Sequence, residues 1–375
     1  MPEVLIQNLS KNFGHVRALS NVDVYIRDNE YIGIVGPSGC GKTTLINCIT
    51  GIVEPTSGTI IIDGKDVSGA EIPIEEREFS MVFQNIALFP HLTVARNVEY
   101  PGYVKDLSEE ETNEKSEKAL KLVDLLAEKE LYPRQLSGGA QQKAAVARAL
   151  ATQAKLIILD EPISALDLKV RVELRYEILR LVKELGLTAI HITHDQEEVM
   201  AISDRVVLMR AGEIIEVSEP KDLYMRPKTL FSLHFVGECN FLEGYIKEIS
   251  KKRFTLHFRN NVEYLTTIED KAISNATLSL GDPIVFAIRP ENTIINKLKN
   301  SNSQTGIRGK VEDIRFLGSY YRYSIKLETE EIVYADQITE TTIKVSEDVI
   351  VNFISQYVLL FPAPPTGLME ELSLE

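Results

Sequence analysis

The stretch Tyr31-Ile32-Gly33-Ile34-Val35-Gly36-Pro37-Ser38-Gly39-Cys40-Gly41-Lys42-Thr43 decides how this chain is read. An apolar run of strand character ends in a glycine-rich turn, and Thr44-Leu45-Ile46-Asn47-Cys48-Ile49 behind it can carry a helix. Gly36, Gly41, Lys42 and Thr43 fit the phosphate-loop spacing G-x-x-x-x-G-K-[ST] in the strand–loop–helix setting its chemistry needs. Glycines let consecutive backbone N–H groups converge on phosphate oxygens with no Cβ in the way. The helix start adds the positive end of its dipole, Lys42 a mobile cation and Thr43 a hydroxyl suited to Mg²⁺. A plain glycine-rich turn beside a surface lysine is the bland alternative, and the flanking strand and helix weigh against it.

Working outward, the 375 residues suffice for two domains and a sizeable core. The net charge of −14 argues against a general nucleic-acid binder and against attraction to anionic lipid. No apolar run approaches bilayer-spanning length, and Met-Pro-Glu-Val at the start lacks the regions of a signal peptide. Cys40, Cys48 and Cys239 have no metal-ligand spacing, and their odd number suits a reducing compartment. The chain is therefore expected in the cytoplasm.

Residues 3–7 and 22–26 read as short alternating strands, with Phe13 alone ahead of a turn. Phe13 is either a half-buried hydrophobe or a face on which a purine stacks. Gly58–Val67 carries the Asp63-Gly64 signature of a tight hairpin. Phe79–Phe83 reads as an apolar strand ending at Gln84. Asn85–Val94 has no clean period and reads as a loop packed on something else, a partner protein among the options. Ser108 and Glu111 form a capping box ahead of a helix that must stop by Pro133.

Leu136-Ser137-Gly138-Gly139-Ala140 opens an alanine-rich helix and offers a second anion site, a weak signal taken alone. Leu156–Leu159 is apolar on both faces, as a central parallel strand must be, and ends in Asp160-Glu161. Two acids there are costly unless they hold a metal or do chemistry, so Asp160 suits Mg²⁺ and Glu161 a general base for water. Asp167 caps a helix with the stripe Val170, Leu174, Ile178, Leu181 and Leu185, ended by Gly186. The strand Thr188–Thr193 leads to His194-Asp195, where His194 could sense phosphate or be merely structural.

These alternations predict an α/β domain with a largely parallel sheet over residues 1–233, its helical part at about 85–155. Residues 234–375 read as a small all-β, barrel-like domain with Asn296–Ser303 as a loop.

The order and spacing of these motifs resemble the ATP-binding cassette ATPases of ABC transporters. Gly36–Thr43 match Walker A, Gln84 the Q-loop and Leu136–Gly139 the signature motif; Leu156–Glu161 match Walker B, Ser164–Asp167 the D-loop and His194 the switch histidine. Phe13 falls where that family carries its adenine-stacking aromatic. The tail segments Phe235–Leu242 and Ile288-Arg289-Pro290-Glu291 look like landmarks of importer ATPases with a C-terminal TOBE, or OB-type, domain. That group includes motors for sugars, polyamines, ferric iron, sulfate and phosphonates.

The resemblance implies a P-loop cassette whose two copies meet head to tail with ATP between them. Phe13, Gly36, Pro37, Ser38, Gly39, Cys40, Gly41, Lys42, Thr43, Thr44 and Gln84 would line the nucleotide, with Ser137, Gly138, Gly139, Asp160 and Asp167. Thr43, Gln84 and Asp160 would attend Mg²⁺, and Glu161, His194 and Lys42 would carry the chemistry. Membrane permease subunits would dock near Gln84–Val94, a substrate-binding protein would act indirectly, and the chain would sit on the inner face of the cell membrane. A soluble cassette ATPase working on ribosomes or DNA is the alternative. Ala140 stands where the family carries glutamine, which removes a polar side chain beside the nucleotide while activity is still expected. Lys143 stands where the family carries arginine, which keeps the charge but not the planar fork that a bidentate contact needs.

Overall fold

The computed structural model describes residues 3–69, 72–250, 253–267, 278–298, 306–339 and 342–373. Contacts divide the chain into two compact units, Met1–Pro220 and Lys221–Leu374.

The first unit opens with β1 (Val4–Phe13), β2 (Val16–Ile26), β3 (Tyr31–Val35), α1 (Lys42–Thr50), β4 (Ser57–Ile62), β5 (Lys65–Asp66) and β6 (Phe79–Val82). Three helices follow: α2 (Val94–Val104), α3 (Glu109–Leu122) and α4 (Gly138–Ala151). The unit continues with β7 (Leu156–Asp160), α5 (Leu168–Glu184), β8 (Thr188–Ile192), α6 (Gln196–Ile202), β9 (Arg205–Arg210) and β10 (Glu213–Ser218).

A six-stranded sheet in the order β10-β9-β3-β8-β7-β6 is parallel from β9 to β6 and has β10 as its antiparallel edge. Its strands alternate between two cores. Ile32, Ile158 and Ile190 join α1 and the β2-β1-β4-β5 sheet on one face, while Tyr31, Leu159 and Ala189 meet α2–α5 on the other. The hairpin expected at Asp63-Gly64 is present, with Ile62 opposite Lys65. The first two strands run longer than their alternation suggested, because bulges interrupt the pairing and Asn8 (φ 49°) and Asn21 (φ 46°) turn left-handed there.

The second unit holds most of α7 (Pro220–Met225) and all of α8 (Leu230–Phe235), followed by strands. One sheet is built from β11 (Asn240–Ser250), β12 (Arg253–Phe258), β13 (Glu263–Thr267) and β14 (Pro283–Ile288). The other uses β15 (Thr293–Lys297), β16 (Ile307–Phe316), β17 (Tyr321–Leu327), β18 (Ile332–Gln337) and β19 (Asp348–Phe353). A last strand, β20 (Leu359–Pro362), completes the first sheet, and α9 (Leu368–Glu371) ends the unit. The two antiparallel sheets, β13-β12-β11-β14-β20 and β15-β19-β16-β17-β18, enclose one core. Leu230 and Leu233 of α8 belong to that core, so residues 221–233 pack with the β-rich unit rather than with the sequence segment before them. Of the run Asn296–Ser303, Asn296 and Lys297 end β15, and residues 299–303 lie outside the described residues.

The tail segments around Arg289 and Asn240 brace this unit. Arg289 donates to the carbonyls of Glu238 (3.1 Å) and Tyr224 (3.3 Å) and lies over the Tyr224 ring. The Asn240 amide takes both the N–H and the C=O of Tyr334, each at 2.7 Å, acting as one more rung of backbone pairing.

Candidate functional site

Parallel neighbours in the six-stranded sheet end on the same side, and four of those ends carry motif residues. The phosphate loop follows β3, Gln84 follows β6, Asp160-Glu161 end β7, and His194 follows β8.

The phosphate loop is shaped by close approach. A Cβ on Gly36 would lie 2.3 Å from the Met209 carbonyl oxygen, and Gly41, at φ 106°, would put one 2.6 Å from that of Ala18. No side chain caps α1 at Gly41, which leaves its first-turn amides for another acceptor. The buried Lys42 ammonium donates to the Gly36 and Pro37 carbonyls at 2.8 Å each and lies 3.7 Å from Cys40 Sγ. It sits inside the loop, where a phosphate would exchange one set of oxygens for another. Burial pushes the Cys40 thiol up despite Lys42, so that cysteine is a neutral wall of the loop.

Glu161 is the point where the strand ends meet. Gln84 Nε2 donates to its Oε2 at 2.9 Å, and His194 Nδ1 lies 3.1 Å from its Oε1. The Glu161 backbone is left-handed (φ 45°), an uncommon state for a side chain of this size, and its N–H is held by the Ile192 carbonyl at 2.8 Å. Three residues chosen from sequence thus meet on one carboxylate. Next to it, burial and then the Glu161 charge push the Asp160 carboxyl up, against the pull of His191 and Lys42.

The signature segment is occupied differently. Ser137 Oγ accepts the Ala140 N–H at 3.3 Å and caps α4, while Asp167 Oδ1 accepts the Val170 N–H and caps α5. A Cβ on Gly139 would come within 2.8 Å of Val170 Cγ1, and one on Gly138 within 3.2 Å of Leu166 Cδ2. The glycines therefore let α4 press against the start of α5. Among the described residues no hydrogen bond joins Ser137 or Asp167 to the phosphate loop. Lys143 pairs with Glu177 of α5 at 2.9 Å, a single-point contact. Phe13 ends β1 with 49% of its surface exposed and the Lys11 ammonium 4.9 Å from its ring centre.

Two groups of residues escaped the sequence reading. Asn97, fully buried on α2, accepts the Phe89 N–H and donates to the carbonyls of Phe89, Leu92 and Thr93. Arg148 of α4 holds the carbonyls of Ala87 and Ile86, and burial lowers its pKa. The stretch after Gln84 is thus packed on the chain's own helices. Behind the site, Tyr31 OH meets His191 Nδ1 at 2.6 Å, His191 Nε2 lies 3.0 Å from Glu198, and Thr193 Oγ1 donates to Glu198 at 2.7 Å. Burial works to raise the Glu198 carboxyl, and contacts to His191, Thr193 and Arg175 outweigh it and lower its pKa. A histidine inside the apolar run of β8 was the available signal, since a ring buried there needs partners.

A phosphate loop after β3 and paired acids at the end of β7, parallel strands with only β8 between them, define a P-loop nucleotide hydrolase. Comparison with known proteins narrows the class. The ABC transporter family matches residues 19–164, and the TOBE domain matches residues 286–361. The spermidine/putrescine import ATP-binding protein PotA of Thermotoga maritima is 37% identical over 328 residues, covering 87% of each chain. The Fe(3+) ions import ATP-binding protein FbpC of Rhizobium etli is 35% identical over 360 residues, covering 96% of this chain and 98% of that one. A dimeric bacterial ABC transporter cassette superposes with TM-score 0.52 at 32% identity, over 58% of this chain and 98% of that one. The same cassette has also been solved in a post-hydrolysis state with ADP and phosphate. The chain belongs to the ATP-binding subunits of ABC importers, with a C-terminal TOBE domain. It is an ATPase, the ATP-driven motor of an import transporter, and nothing in these likenesses favours a ribosomal or DNA machine.

Proposed function

We propose that each ATP binds between two copies of the chain, on the phosphate loop of one and the Ser137–Gly139 segment of the other. The meeting of Gln84, Glu161 and His194 on one carboxylate supports the hydrolytic half of that site. The Ser137–Gly139 helix start, which no hydrogen bond among the described residues ties to the phosphate loop, supports a second copy for the other half. The loop amides, from Gly36 to Thr44, and Lys42 bind the phosphates, and Phe13 stacks on the base. Glu161 takes the proton of the attacking water, and His194, already against it, contacts the terminal phosphate.

Thr43, Gln84 and Asp160 would hold Mg²⁺. The raised Asp160 carboxyl beside a second acid is a donor set that a hard cation relieves. Among the described residues no three His, Cys, Asp or Glu side chains form a metal cluster, so substrate phosphate oxygens would complete the shell. When bound, the ion screens the phosphate charge. The Gln84 side chain is hydrogen-bonded to Glu161, so it would have to exchange that contact to serve as a Mg²⁺ ligand.

Closure of the two copies would drive permease subunits docked near Gln84–Val94, with a substrate-binding protein acting from beyond them. Exposed Phe83, Tyr100, Tyr103 and Val104 lie on or near that segment and support it as the docking face. No helix among the described residues is long and apolar enough to cross a membrane, so the reading places the chain peripherally on the inner face, held by its permease. No nucleic acid takes part. The relatives' names carry polyamine and ferric-ion cargo, and we extend a cationic cargo to this system. Stimulation of ATPase in the assembled transporter by putrescine or ferric ion with the cognate binding protein tests it; stimulation by sugar or sulfate alone would overturn it.

Glu161→Gln is the test of the chemistry. Turnover should fall at least about 100-fold, as for loss of a general base, while ATP affinity stays within about threefold. Wild-type turnover would refute the role of Glu161.

A further inference from the structure

We infer that Arg171 is a positioning residue that locks the loop after Glu161 to the loop after His194. Arg171 lies in the first turn of α5. Its NH2 donates to the carbonyls of Ser164 and Leu166, both at 3.1 Å, and its NH1 is 3.7 Å from Asp195 Oδ2. Ser164–Asp167 is the segment that leaves Glu161, and Ser164 is anchored to it, its hydroxyl donating to the Glu161 carbonyl at 3.1 Å. Asp195 directly follows His194, whose ring touches the Glu161 carboxylate. One guanidinium therefore spans the chain segments that directly follow Glu161 and His194.

The arrangement goes beyond what helix packing needs. Arg175, one turn on and buried, also points at Asp195 Oδ2 at 3.7 Å, so two guanidinium groups converge on one carboxylate. The Nε atoms of both arginines are buried with no hydrogen-bond acceptor, so their terminal nitrogens make the contacts to the loops. Asp195 keeps its other oxygen for the Glu198 N–H and so caps α6 as well. The Arg171 NH2 holds two carbonyls of the one loop by hydrogen bonds while its NH1 faces the Asp195 carboxylate as an ion pair, an arrangement that a single lysine ammonium reproduces only in part. Release of the Arg171–Asp195 contact would let Glu161 and His194 drift apart, and reacting groups misplaced by an ångström lose rate steeply.

The inference rests on Glu161 as the base, and the experiment separates the two ideas. Steady-state ATPase of the full chain is measured for Arg171→Gln, Arg171→Lys, Asp195→Asn and the Arg171→Gln/Asp195→Asn pair, beside Glu161→Gln. Asp195→Asn retains the helix cap, so it carries the test even where Arg171→Gln folds poorly. Each single glutamine or asparagine change should lower kcat about tenfold with KM for ATP within about twofold, the split expected for lost alignment. The pair should be no slower than the worse single change, because both remove one contact. Arg171→Lys should recover part of the rate. Unchanged kcat, a rise in KM alone, or losses that multiply in the pair would overturn the clamp. Retained turnover in Glu161→Gln would instead refute the base assignment, while the Arg171–Asp195 coupling stayed readable.

Discussion

Two helix starts in the first unit face anion chemistry in opposite ways. α1 begins at Gly41 with no side-chain cap, and its amides and Lys42 form a bowl within one chain. α4 begins at Ser137, whose hydroxyl already serves the Ala140 N–H, and its glycines are used to press on Leu166 and Val170. The first end is built to bind phosphate alone. The second is partly capped in the free chain, with Ser137 taking the Ala140 N–H, and is suited to add a contact when something is brought to it. That difference is what supports the proposed division of the nucleotide site between two copies.

The comparison can be broken at its strong end first. Lys42→Ala should weaken ATP binding to the isolated chain by about 100-fold, since a charge-assisted contact to phosphate is worth about 3 kcal/mol. Equilibrium binding of a fluorescent ATP analogue checks this, and unchanged affinity would leave α1 without its assigned role. Ser137→Ala sharpens the other end. It should leave affinity in the isolated chain unaltered and cut turnover about tenfold, with about 1 kcal/mol of stability lost with the cap. A loss of ATP affinity in the monomer would mean that α4 already belongs to the same chain's site. The smallest effect is at Phe13, where Phe13→Ala should weaken ATP about fivefold, the scale of one aromatic contact of about 1 kcal/mol. GTP affinity measured beside it shows whether the ring acts by stacking on any purine.

Much of the site was legible because its residues are constrained locally. A loop that wraps phosphate needs Gly36 and Gly41 at fixed spacing, and a buried strand that ends in Asp160-Glu161 announces itself. What stayed hidden was set by tertiary partners. Asn97 is the exception: its four hydrogen bonds go to Phe89, Leu92 and Thr93 just before it in sequence, an irregular stretch in which no periodic pattern marks it. His191 reads as one polar interruption in β8 until Tyr31 and Glu198 are seen against it. The same holds for α8, which no sequence signal singles out and whose Leu230 and Leu233 enter the core of the β-rich unit although the sequence reading ends the first domain at residue 233. The long first hairpin was masked by its bulges, which break the alternation that identifies a strand.

The central claim is that the chain supplies half of each ATP site and a second copy supplies the other half. The most direct measurement is the mass in solution of the Glu161→Gln chain, with and without ATP and Mg²⁺, by light scattering. The account predicts a monomer that becomes a dimer on addition of ATP and returns to monomer when Ser137 is also changed to a bulky residue. A chain that binds ATP tightly yet stays monomeric at every concentration would contradict it.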